Sequence, residues 1–231
     1  MHLELVELLR CPVAHAPTVL VAAAGTISNR YVTEGVLGCP ECYAEYAIRG
    51  GVTHFAVGDP ARDILEPPSD ATNGEVTTDD SAGAMRLAAQ LGLIGGRSVF
   101  ALIGYDITAI VAMREIVPAR VLVLNPSQLD ASAFPTEQLQ DAMLVAPIGV
   151  ALCDDVLPLV QAKFDGVAVS SPHASSQLLT QAASALRTGG RLVANVNATL
   201  PVGMRELVRD DRVWVAVRES VASAPISILR R

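Results

Sequence analysis

Five short, almost unbroken apolar runs constrain this chain more than any other feature. They fall at residues 98–103, 120–124, 165–170, 191–195 and 213–217. A strand with no polar alternation has no face to offer to water, so such runs belong in a sheet covered on both sides. Helical segments separate several of them. Residues 81–92 place Met85, Ala88 and Leu91 on one face before Gly92 and the Gly95-Gly96 pair. Residues 107–117 end before Pro118, and residues 175–186 carry an apolar face through Leu178, Leu179, Ala182 and Ala185 before Gly189-Gly190. Strands alternating with helices at this spacing predict an α/β fold with an open, doubly wound, Rossmann-like sheet. Ligands of such sheets sit beyond the carboxyl ends of the strands.

Charge divides the chain in three. Residues 1–58 have a net charge of −2, residues 59–80 of −6 and residues 81–231 of +1. The middle stretch, with Pro60, Pro67 and Pro68, has little to bury and reads as an acidic linker or surface loop. Across all 231 residues, 51% are apolar and 18% charged, which excludes a disordered chain. The overall charge of −7 disfavours a nucleic-acid partner. The longest apolar run, residues 143–153, is too short for a bilayer, which takes roughly 20 residues, and no basic-then-apolar leader opens the sequence. Neither a membrane nor an exported location is expected.

The first 58 residues read as a small α+β domain. An apolar pattern through Leu3, Leu5, Val6, Leu8 and Leu9 predicts a short helix. Strands are expected at 19–23 and 31–37, joined by a turn over 25–29, and at 45–48 and 52–57 about Gly50-Gly51. A core this thin usually needs a metal or a larger neighbour. The cysteines point to the metal. Cys39-Pro40-Glu41-Cys42 forms a tight knuckle, and Cys11 with His15 would complete a Cys₃His set suited to a structural Zn²⁺. A metal-free packed remnant and a thiol or redox pair are the alternatives. Cys153 stands alone in an apolar stretch, so the cysteine pattern fits a reducing compartment, the cytoplasm. His2 and His54 read as terminal or surface groups.

Residues 1–57 resemble the small zinc-ribbon proteins that bind and activate methyltransferases acting on tRNA and translation factors. The resemblance is carried by Leu8-Leu9-Arg10-Cys11-Pro12, Leu37-Gly38-Cys39-Pro40-Glu41-Cys42 and Tyr46-Ala47-Ile48-Arg49-Gly50-Gly51-Val52. It implies a Cys-Pro-x-Cys knuckle at both ends. Here Ala14 takes the last position of the first knuckle, leaving His15, one residue on, as the substitute ligand. It also implies docking on a methyltransferase through an exposed sheet edge, here expected within one chain.

Residues 81–231 resemble class I S-adenosylmethionine-dependent methyltransferases, through Lys163-Phe164-Asp165-Gly166-Val167-Ala168-Val169 and, most closely, Ala185-Leu186-Arg187-Thr188-Gly189-Gly190-Arg191-Leu192-Val193. The resemblance implies cofactor contacts at Gly104, at Asn125 after the second strand, and at Asp154 or Asp155 after the third. It implies an acceptor-side base at His173. Departures from the family pattern stand beside these positions. Only Gly104 remains of the glycine-rich turn, Ala101 replaces its acid, Tyr105 brings bulk, and Asn125 lacks a carboxylate for the ribose diol. These departures favour a degenerate cofactor site on a non-catalytic binding or regulatory module. The alternatives are an active methyltransferase with an atypical pocket and a scaffold that joins protein partners or copies of itself.

Overall fold

The computed structural model describes residues 1–55, 81–92, 98–107, 110, 113, 118–127 and 147–220. The acidic stretch 59–80 and most of the expected helix 107–117 lie outside the described residues.

Helix α1 (Leu3–Val6) is a single turn. It precedes four strands: β1 (Val21–Ser28), β2 (Tyr31–Gly38), β3 (Glu45–Arg49) and β4 (Val52–His54). Then come α2 (Ser81–Leu91), β5 (Val99–Ile103), β6 (Arg120–Leu124), β7 (Ile148–Leu152) and β8 (Phe164–Val169). Helix α3 (Ser176–Ala185), β9 (Leu186–Asn195), β10 (Met204–Arg209) and β11 (Val213–Arg218) complete the described chain.

All eleven strands form one sheet, in the order β1-β2-β3-β4-β7-β6-β5-β8-β9-β11-β10. Within β5–β11 the central five strands run parallel, while β11 is antiparallel to both β9 and β10. Numbered from β5, this half reads 3-2-1-4-5-7-6, the expected doubly wound, methyltransferase-like order. The N-terminal meander extends the same sheet. β4 adds in parallel to the edge of β7, pairing Val52 with Val150, Thr53 with Ala151 and His54 with Leu152.

Each face of the sheet is covered. On one, Ala84, Leu87, Ala88 and Leu91 of α2 pack with Ile110, Met113, Phe100 and Val121. On the other, Leu5, Leu8 and Leu9 pack with Ala101, Leu122, Leu178 and Leu179. Gly149 permits a close approach on that side, because a Cβ there would lie 2.8 Å from Met1 Sδ and 2.9 Å from Leu5 Cδ1.

Several local expectations are corrected. β1 begins later and runs further than expected, and its hairpin turns at Asn29-Arg30 rather than across 25–29. Both turn residues have positive φ, 48° and 66°, which closes a two-residue loop between paired Ser28 and Tyr31. Met85 is off the apolar face of α2 and 59% exposed, because the buried stripe runs 84, 87, 88, 91. β9 starts at Leu186, directly after α3, rather than beyond Gly189-Gly190. His2 is buried, and its ring accepts a hydrogen bond from the Glu4 amide at 3.2 Å.

Candidate functional site

Two turns of the N-terminal meander face each other. The second follows β2, where the Cys39 amide donates to Ala44 O at 2.9 Å and the Tyr43 amide to Cys39 O at 3.0 Å, curling Cys39-Pro40-Glu41-Cys42 back on itself. The first is a loop pinched shut by the Arg10–Val19 bridge and by the Cys11 amide donating to Thr18 O at 3.1 Å. That loop carries His15 back over Cys11.

The ligand atoms of Cys11, His15, Cys39 and Cys42 all lie within 4.8 Å of one another. Cys11 Sγ is 3.6 Å from Cys42 Sγ, and Cys39 Sγ is 3.4 Å from His15 Nε2. A tetrahedral ion with metal–sulfur bonds of about 2.3 Å needs edges of roughly 3.7 Å, close to these separations. His15 Nδ1 lies 2.6 Å from Ala16 O. A carbonyl only accepts, so Nδ1 carries the proton and Nε2 keeps a lone pair turned toward the thiols. Burial pushes the Cys39 thiol up, but the Cys42 and Glu41 amides together with the Cys42 and Cys11 thiols more than offset it and leave it at about 7. Burial raises Cys11, against hydrogen bonds from Tyr46 and the Val13 amide. Three soft thiols and one oriented imidazole, closed around a common centre, form a cluster able to coordinate a metal ion.

The other candidate residues stand at the carboxyl ends of the parallel strands. Gly104 follows β5 with φ of 73°. A Cβ at this position would run into Ser170 Oγ and His173 Cδ2, with His173 Nε2 at 2.9 Å. The space over Gly104 is therefore filled by two side chains that follow β8. His173 closes a 3-10 turn, Ser171–His173, and burial lowers its pKa. Ser170 Oγ is buried without a hydrogen-bond partner among the described residues.

Asn125 is buried, and its amide is spent on the neighbouring strand. Nδ2 donates to Cys153 O and Oδ1 accepts from the Cys153 amide, both at 2.8 Å. Asp154 and Asp155 are exposed beyond β7, and Asp155 O accepts from Gln181 Nε2 at 2.8 Å. Tyr105 packs toward α2 instead of covering Gly104, and burial pushes its phenol up to about 12. It lines a small cleft of about 40 Å³ with Arg86, Leu87, Asp210 and Val213. The four side chains able to hold a metal are thus brought together, as are Gly104 and His173, whereas Asn125, Asp154 and Asp155 are engaged separately or exposed. Ser170 is the feature that sequence reasoning missed, since nothing in a serine before Ser171-Pro172-His173 marks it as filling a turn after another strand.

No protein-family model matches the chain, and no curated protein matches its sequence. Solved structures resemble it. Geranyl diphosphate C-methyltransferase from Streptomyces coelicolor A3(2) is 17% identical with a TM-score of 0.42, over 49% of this chain and 42% of that one. The present chain thus spans less than half the length of that enzyme. A methyltransferase from Geobacter sulfurreducens is 13% identical with a TM-score of 0.44, over 62% and 79% of the two chains. A complex of the Haloferax volcanii Trm112 methyltransferase activator with a putative methyltransferase is 15% identical with a TM-score of 0.42, over 59% of this chain and 89% of that one.

Proposed function

We propose that this chain is a non-catalytic binding or regulatory module on a methyltransferase-like sheet, with a zinc-held ribbon bound along that sheet's edge in the same molecule. The observation that carries the reading is the filled space over Gly104, where Ser170 and His173 stand in the path a nucleoside cofactor would need. Asn125 supports it, because it lacks a carboxylate for a sugar diol and each half of its buried amide already has a partner on Cys153. Zn²⁺ is the ion that a closed Cys₃His shell suits best. With four protein ligands it has no open position for substrate, so its part is to hold Cys11, His15, Cys39 and Cys42 together. Reduced thiols at this centre fit a reducing compartment such as the cytoplasm.

Calorimetry with S-adenosylmethionine and its demethylated product tests the reading. The expected result is no binding tighter than about 100 μM. A low-micromolar isotherm would overturn it in favour of an active enzyme with an atypical pocket.

A further inference from the structure

We propose that Tyr46 is a positioning residue of the metal centre, its hydroxyl donating a hydrogen bond to the Cys11 thiolate. This inference rests on the zinc reading above. Tyr46 Oη lies 3.1 Å from Cys11 Sγ, inside the protein, and the tyrosine is only 3% exposed. A buried tyrosine hydroxyl needs a polar partner, and the Cys11 sulfur is the one that the structure places against it. Once a metal holds Cys11 as a thiolate, that sulfur has no proton to give, so the hydroxyl must be the donor.

Charge supplies the reason for a donor at this sulfur. Three thiolates and a neutral imidazole around a divalent cation leave one excess negative charge in a partly buried site, and hydrogen bonds to sulfur are what disperse it. Cys11 stands on the arm where Ala14 interrupts the knuckle pattern, and Tyr46 reaches its sulfur from β3. The ring is held in place by Phe55, 4.8 Å between centroids, so the hydroxyl is aimed by packing.

Co²⁺ replaces zinc as a coloured probe, titrated into the metal-free full-length chain and into Tyr46→Phe, with zinc competition to read affinity. The wild type should bind one ion with a thiolate-to-cobalt charge-transfer band. Tyr46→Phe keeps the ring and should still bind, about 10- to 100-fold more weakly, with that band at lower energy because a sulfur relieved of its hydrogen bond is easier to oxidise. Global replacement of tyrosine by a fluorinated, more acidic tyrosine should move the band the other way, which tests the bond even if the phenylalanine variant does not fold. Unchanged affinity and unchanged bands in these proteins would overturn the role of Tyr46 while leaving the metal centre intact. Failure of the wild type to bind Co²⁺ or zinc would overturn the metal reading itself.

Discussion

Gly104 shows how much one missing side chain permits. Its φ of 73° costs a non-glycine residue about 1–2 kcal/mol, and an added methyl would also push into Ser170 and His173. Gly104→Ala should therefore lower stability by about 2–4 kcal/mol in urea unfolding. Combined with His173→Ala, part of that loss should return, because the His173 share of the collision goes while the Ser170 contact and the backbone strain stay. Strictly additive losses would show that the His173 ring does not occupy this space. Gly104 and His173 were each legible as candidates, but their meeting was not. It depends on parallel pairing that sets Ile103 of β5 opposite Val169 of β8, so both chains leave the sheet at one level. The metal ligands were legible for the opposite reason, since short spacings bring two of them together within each turn. Tyr46 was not, because a tyrosine in an alternating strand looks like any other core residue.

At the level of elements, the seam between β4 and β7 contains an imperfection that can be measured. Thr53 is fully buried opposite Ala151, and its Oγ1 has no hydrogen-bond partner among the described residues. Thr53→Val keeps the shape and removes the stranded hydroxyl, so it should stabilise the protein by about 1 kcal/mol in chemical denaturation. A destabilisation would mean that the hydroxyl has a partner, such as an internal water. The buried strands β5, β6 and β8 could be read directly from their unbroken apolar runs. β7 could not be delimited, because it lies inside the longer apolar run 143–153, where periodicity marks no ends. β10 escaped notice because five of its six residues are exposed and Arg205, Glu206 and Arg209 break any apolar alternation. The limits of β1 were misjudged for a related reason. Its alanines carry little strand preference, and its neighbour β2 sets where it pairs.

For the molecule as a whole, the N-terminal meander continues the central sheet and has, on the zinc reading proposed above, a metal ion as its second support. Protein purified without added metal should contain one zinc per chain by elemental analysis. Removing it with a chelator should lower the thermal midpoint by roughly 10 °C or more, since metal binding is folding energy for a core this small. A zinc-free preparation with an unaltered midpoint would leave the shared sheet as the sole support. The same arrangement has a second consequence, for solubility. β4 caps the outer edge of β7, an Ile-Gly-Val-Ala-Leu strand with no charge or proline to deter another strand, whereas the far edge at β10 is bulged and studded with arginine and glutamate. On the zinc reading proposed above, losing the ion frees the ribbon to peel from β7, and the bare strand becomes a template for its own kind.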